Sequence, residues 1–244
     1  MPPPRLDPTR IRAITLDLDD TLWPVWPTIE RAEEALRTWL DAHAPRTATL
    51  ARDAHATHAA RQAVLHARPH IAHDLGAIRH AAIAHLLREA GDDQALADAA
   101  FAHFHAERQR VNLFDDALPA LQWLATRYPV VALTNGNADV HRVGIGAHFH
   151  ASINAAQAGV AKPDARIFHA GAQAAGVATH EVLHVGDDPH LDGTGAIAAG
   201  MQMAWLNRSA QPWPADAGAP PHVVVSDLAA LCEHLHGART PRAP

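Results

Sequence analysis

Residues 11–21 read Ile11-Arg12-Ala13-Ile14-Thr15-Leu16-Asp17-Leu18-Asp19-Asp20-Thr21, an apolar, partly β-branched run that ends in acid. Such a run predicts a buried strand over 11–18. On an extended chain residues i and i+2 point the same way, so Asp17 and Asp19 are expected to face one substrate together. Further runs of this kind occur at 129–134 (PVVALT), 182–186 (VLHVG), 201–206 (MQMAWL) and 222–225 (HVVV), with a weaker one near 151–154. Helical spacing falls between them, at about 116–127, 138–146, 164–175, 190–199 and 227–236. This alternation predicts an α/β protein with a parallel, Rossmann-like sheet.

Residues 24–111 break the rhythm. They are rich in Ala, His, Leu and Arg, hold no strand pattern, and show helical spacing over 28–42, 47–67, 75–90 and 93–110. The expected organisation is therefore a core of 1–23 and 112–244 with an all-helical cap, 24–111, inserted after strand one. An insert there would lie over the carboxyl ends of the strands, where open α/β sheets bind ligands.

Composition narrows the function. The chain has 244 residues, a net charge of -6 and 48% apolar residues. No basic stripe points to nucleic acid. No apolar run approaches the roughly 18 residues of a membrane span. The start, Met1-Pro2-Pro3-Pro4, has no signal-peptide stretch, and the single cysteine, Cys232, allows no internal disulfide, so a cytoplasmic protein is expected. The 20 histidines are scattered along the chain and read as compositional bias. Of the 20 Lys plus Arg residues, Lys162 is the sole lysine. A compact ammonium and a planar guanidinium are not interchangeable, which singles that position out.

Three strands end in groups suited to phosphate chemistry. An Asp-x-Asp alone is equally compatible with a solvated strand end. Thr134-Asn135-Gly136-Asn137 offers a hydroxyl and backbone N–H groups before a helix, a phosphate cradle or an ordinary helix cap. Gly186-Asp187-Asp188-Pro189, with Asp192 following, is a carboxylate cluster suited to Mg²⁺, or a polar turn that caps a helix. Two such carboxylates about 4 Å apart repel by about 4 kcal/mol at an effective dielectric of 20. A cation and Lys162, in the run Ala161-Lys162-Pro163-Asp164, would relieve that repulsion.

Taken in order, Asp17/Asp19/Thr21, Thr134, Lys162 and Gly186-Asp187-Asp188 with Asp192 resemble the four motifs of the haloacid dehalogenase-like hydrolases. The resemblance implies that Asp17 attacks phosphorus and that Asp19 acts as acid and then base. It implies a Mg²⁺ ion held by Asp17, the Asp19 carbonyl and Asp187, with Thr21, Asp188 and Asp192 behind them. It gives Thr134 and the Asn135 N–H to the phosphate oxygens, and Lys162 to both nucleophile and phosphate.

Family dehalogenases lack the second aspartate of the first motif, so Asp19 speaks for a phosphatase acting on a small phosphate ester. Phosphonate-cleaving members need a cap lysine, and 24–111 contains none. The stretches 16–23, 133–138, 161–168, 182–202 and 69–79 resemble a bacterial subgroup acting on flavin mononucleotide and on the riboflavin precursor 5-amino-6-(5-phospho-ribitylamino)uracil. Phosphoglycolate and sugar-phosphate phosphatases, phosphotransferases and a non-catalytic binding protein stay open beside that reading. Trp23 is a candidate for stacking on a planar ring or for packing between core and cap. His73, Asp74 and Arg79 are candidates to face the substrate from the cap.

Overall fold

A computed structural model describes residues 5–237. The proline run on which the signal-peptide reading rests lies outside the described residues, as do the outer ends of the expected core segments. Six strands form: β1 (Ala13–Leu16), β2 (Val130–Thr134), β3 (Ala151–Asn154), β4 (Val182–Gly186), β5 (Gln202–Leu206) and β6 (Val223–Val225). All neighbours pair in parallel, in the order β3-β2-β1-β4-β5-β6. The expected Rossmann-like sheet is present.

Burial explains how the strands read. Every residue of β1, β2, β4 and β5 is buried. Central parallel strands are covered on both faces and so appear as unbroken apolar runs. The edge strand β3 is only half-buried along its length, which accounts for its weaker signal.

The helices are α1 (Val25–His43), α2 (Pro45–Ala51), α3 (Ala54–Ala67), α4 (Leu75–Ala90), α5 (Ala97–Arg108), α6 (Ala117–Ala125), α7 (Val140–Val143), α8 (Ala155–Ala158), α9 (Ala165–Ala174), α10 (Gly195–Ala198) and α11 (Leu228–Gly237). The chain divides into two compact units. One takes the chain up to Pro24, Leu113–Asn135 and the chain from Asp139 on; the other takes Val25–Asn112 with Gly136–Ala138. In the first, Ile167, Phe168 and Ala172 of α9 close over Ala13, Val131, Leu133, Val182 and Met203 of the sheet.

The second unit is helical. On α1 the buried positions Thr28, Ala32, Leu36 and Leu40 recur every four residues, a single apolar stripe. That stripe meets Ile83 and Leu87 of α4 and Phe104 of α5. Ala60 and Val64 of α3 pack on Ile78, Ala82 and Leu86, on another side of α4. Gly91 ends α4 in the left-handed region at φ 73°, its N–H bonding back to Arg88 and Leu87.

Three expectations need correction. The helix read over 47–67 is two helices, because Asp53 caps a new one by accepting from the His55 N–H at 2.8 Å. The helix read over 138–146 is one short turn, α7, capped by Asp139, followed by a 3₁₀ turn at Gly146–His148. The helix read over 190–199 begins as a π-helix, Pro189–Thr194, and becomes α only at Gly195.

Candidate active site

The sheet order brings the motifs together. β1 lies between β2 and β4, so the segments leaving the carboxyl ends of those three strands are neighbours. This is also where the strand order reverses, the place where open α/β sheets bind ligands. Asp17 follows β1, Thr134 closes β2, and Asp187 follows β4. Although β1 ends at Leu16, the Asp17 N–H still donates to the Val185 carbonyl at 2.9 Å, which pins Asp17 to the sheet.

Lys162 is the hub. Its side chain is 3% exposed, and its Nζ donates to Asp17 Oδ1 and, at 2.6 Å, to Asp192 Oδ1. Two bonds lock its loop to the end of β2: Asn135 Nδ2 donates to the Lys162 carbonyl at 3.0 Å, and the Lys162 N–H donates to Asn135 Oδ1 at 2.7 Å. Asp192 takes a further hydrogen bond on its other oxygen, from the Asp188 N–H at 3.1 Å. Gly186 makes room for this arrangement. A Cβ there would lie 2.3 Å from the Asp192 carboxyl carbon, so no larger residue fits without displacing Asp192.

Asp187 is held from two sides. Thr21 Oγ1 donates to its carboxylate at 3.0 Å, and Trp205 Nε1 donates to its carbonyl at 2.8 Å. Asp17, Asp187 and Asp192 bring ligand oxygens within 4.8 Å of one another. When ionised, three carboxylates face one ammonium, an excess of negative charge in a buried place.

The protonation balance reflects that excess. Burial, with Asp192 and Asp187 nearby, pushes Asp17 well above the ordinary carboxylate range, against the pull of Lys162. Burial and the Asp192 charge raise Asp187 to about 7. Burial opposes ionisation of Asp192 too, but Lys162 and His184 outweigh it and hold Asp192 below the usual range. Burial likewise works against charged Lys162, yet Asp17 and Asp192 raise it above the ordinary lysine value.

An all-oxygen donor set with surplus negative charge fits a hard divalent cation. The lone pairs of Asp192 are engaged by Lys162, His184 and the Asp188 N–H, so Asp17 and Asp187 are the carboxylates suited to hold the ion.

Several sequence-based expectations change in detail. Asp17 and Asp19 lie just beyond the last residue of β1 rather than within it. Leu18–Leu22 form a turn in which Asp20 has φ 57° and the Leu22 N–H returns to the Leu18 carbonyl. Asp19 is oriented instead by Trp23, whose Nε1 donates to its carboxylate at 2.8 Å. Trp23 itself is 0% exposed, so it cannot stack on a substrate ring. Asp188 spends one carboxylate oxygen capping the turn that follows, accepting from the N–H groups of His190 and Leu191. With α7 beginning only at Val140 and capped by Asp139, no helix end directly follows Asn135, and the Thr134 hydroxyl with the Asn135 N–H is what remains for a phosphate cradle.

Within the helical unit, Asp74 caps α4 by accepting from the Ala77 N–H at 2.8 Å. Arg79 pairs with Glu33 and lies over the Phe104 ring, 3.8 Å from its centroid. His73 lies in the turn before α4. Sequence reasoning missed His184, fully buried on β4 and bonded to Asp192 at 3.0 Å. A histidine inside an otherwise apolar strand was the available signal, hidden among 20 histidines. Among the described residues no helix is long and apolar enough to cross a membrane.

A doubly wound sheet carrying these groups at adjacent strand ends defines a hydrolase class, and the haloacid dehalogenase-like hydrolase family matches residues 11–200. The chain belongs to that family. It is 35% identical over 230 residues to the 5-amino-6-(5-phospho-D-ribitylamino)uracil phosphatase YigB of Escherichia coli, covering 91% of this chain and 95% of that protein. It is 34% identical over 159 residues to the phosphoserine phosphatase of Thermus thermophilus, covering 63% of each. Both curated relatives are phosphoric monoester hydrolases. Among solved structures it resembles a 2-haloacid dehalogenase of Pseudomonas syringae, with a TM-score of 0.87, 36% identity, and coverage of 93% of this chain and 99% of the other.

Proposed function

We propose that this enzyme is a Mg²⁺-dependent phosphatase that hydrolyses small phosphomonoesters through a phosphorylated Asp17. The observation that carries the reading is the buried Lys162 ammonium bound to both Asp17 and Asp192, with Asp187 alongside. Phosphoryl transfer depends chiefly on positioning and charge neutralisation. An ammonium fixed on the nucleophile supplies both.

In the first step a carboxylate oxygen of Asp17 forms a bond to phosphorus, the ester P–O bond breaks, and Asp19 gives its proton to the leaving oxygen. In the second, Asp19 takes a proton from water, the water oxygen attacks phosphorus, and the acyl-phosphate P–O bond breaks. Inorganic phosphate leaves and Asp17 is regenerated as a carboxylate. Trp23 keeps the Asp19 carboxylate turned for both transfers. The Thr134 hydroxyl and the Asn135 N–H bind the phosphate oxygens, while Lys162 offsets their charge. When bound, the cation, held by Asp17, Asp187 and the Asp19 carbonyl, supplies the positive charge that lets the buried carboxylates ionise beside an anionic substrate.

Asp19 also separates this reading from the dehalogenase activity named for the Pseudomonas structure. A halide leaves as a stable anion and needs no proton, whereas an alkoxide leaving group does. A positioned acid next to the nucleophile serves the second case.

For the substrate we favour a riboflavin-type phosphate, either flavin mononucleotide or 5-amino-6-(5-phospho-ribitylamino)uracil. Identity to the Escherichia coli phosphatase over nearly the full length of both chains supports it. Phosphoserine, phosphoglycolate and sugar phosphates are the competing esters. Trp23 is buried, so stacking on the substrate ring is not assigned to it. The enzyme acts in the cytoplasm on a small molecule and not on nucleic acid. A panel of these esters ranked by kcat/KM tests the assignment. The two riboflavin-type substrates should lead by at least about tenfold, a gap of about 1.4 kcal/mol in transition-state binding, and a lead by phosphoserine or phosphoglycolate would refute it.

A further inference from the structure

Behind the acidic cluster a line of hydrogen bonds runs into the sheet. Thr15 on β1 and His184 on β4 are directly paired neighbours. Thr15 Oγ1 lies 2.9 Å from His184 Nδ1, and His184 Nε2 lies 3.0 Å from Asp192 Oδ1. Thr15, His184 and Asp192 are at most 1% exposed. Phe168 meets the imidazole edge-on, with centroids 5.0 Å apart, and limits its tilt.

The polarity of this line is set by chemistry. An ionised carboxylate only accepts, so the proton between His184 and Asp192 belongs to Nε2. Burial disfavours a second proton on the ring. Nδ1 is therefore an acceptor, and the Thr15 hydroxyl donates to it. The order runs Thr15 O–H to Nδ1, Nε2–H to Asp192, and Asp192 to the Lys162 ammonium that also holds Asp17.

The arrangement answers a steric problem. Asp192 lies close enough to Asp17 and Asp187 to join them around an ion. If it turned that way, Lys162 would lose one of its two anchors. We propose that His184 is a positioning residue: its Nε2–H, with the ring held from behind by the Thr15 hydroxyl on Nδ1, keeps the Asp192 carboxylate on Lys162 and out of the cation site, and so keeps the ammonium on Asp17. This inference rests on the phosphatase reading for its catalytic consequence.

The test uses the full chain with p-nitrophenyl phosphate, and the wild type is measured first. If the wild type releases no phosphate, the phosphatase reading fails, whatever the variants do. With an active wild type, His184→Leu should lower kcat by about 30- to 100-fold with KM changed less than about twofold, the scale of a misplaced catalytic group. His184→Gln keeps a donor aimed at Asp192 and should recover to within about fivefold of wild type. Thr15→Val should lower kcat by about three- to tenfold, and should add nothing in the His184→Leu background, because both act through one line of bonds.

A readout independent of turnover is the ring ¹⁵N spectrum of the metal-free protein at a single neutral pH, with His184→Gln identifying the signal. It should show Nε2 protonated and Nδ1 bare in the wild type. Wild-type kcat in folded His184→Leu, or failure of His184→Gln to recover activity that His184→Leu has lost, would overturn the proposal. So would protonation of Nδ1. Should His184→Leu not fold, Thr15→Val decides the matter: a lowered melting temperature with unchanged kcat means that the line of bonds is merely structural, and the proposal is wrong.

Discussion

Asn135 and Lys162 hold each other by two hydrogen bonds, side-chain amide to carbonyl at 3.0 Å and backbone N–H to side-chain oxygen at 2.7 Å, so the end of β2 sets where the lysine begins. Asn135→Ala keeps the backbone N–H offered to the phosphate but removes this clamp. Two lost hydrogen bonds with half-buried partners cost about 1–3 kcal/mol. The expected result is a lower melting temperature together with at least tenfold lower kcat, read from denaturation curves and phosphate release. Unchanged kcat would mean that Lys162 is held without the clamp.

Lys162→Arg conserves charge but not shape. The ammonium sits 3% exposed between two carboxylates. A planar fork directs its donors differently and needs more room. We expect kcat to fall by at least about a hundredfold, on the scale of misplaced catalytic groups, in a protein that still folds. Steady-state kinetics together with circular dichroism check it, and near-normal turnover would deny the ammonium its proposed role.

Metal removal should expose the strain of the acidic cluster. Burial raises Asp187 from 3.8 to about 7, so the folded state holds a proton there more tightly than the unfolded chain does. A raised carboxylate costs nothing below the unfolded value, costs increasingly between about pH 4 and pH 7, and costs fully above that. In EDTA, Asp187→Asn should be more stable than wild type at pH 8, by a few kcal/mol at most. The advantage should shrink toward pH 4, and Mg²⁺ should stabilise the wild type most at high pH. Equal stability of the two proteins at pH 8 in EDTA would mean that the carboxylate is not strained.

Gly186→Ala places a methyl against the Asp192 carboxylate. Overpacking of this kind costs about 1–3 kcal/mol. Because Asp192 must shift to relieve it, activity should fall further than stability alone explains. A variant with a lowered melting temperature but full kcat would show that Asp192 can move freely.

The core of the fold was legible because central parallel strands carry apolar residues on both faces, and because each motif sits at the end of such a strand. Lys162 was legible for a different reason, as the lone lysine in an arginine-rich chain. What stayed hidden depended on how the chain turns after a strand. The Leu18–Leu22 turn brings the Trp23 indole onto the Asp19 carboxylate, a contact that no strand or helix period announces. Asp53 and Asp139 are short caps whose effect on helix length depends on local geometry more than on apolar spacing. His184 was invisible because its partners, Thr15 and Asp192, are brought to it only by the pairing of β1 with β4 and by the turn after β4.

The proposed phosphatase chemistry has Asp19 giving a proton to an oxygen leaving group. The most direct measurement incubates one preparation, with and without Mg²⁺, with p-nitrophenyl phosphate and separately with 2-chloropropanoate, assaying phosphate and chloride, with Asp17→Asn as control. We predict Mg²⁺-dependent phosphate release, abolished in Asp17→Asn, and no chloride above that control. Chloride release that needs Asp17 but no Mg²⁺, with no phosphate released from the ester, would contradict it.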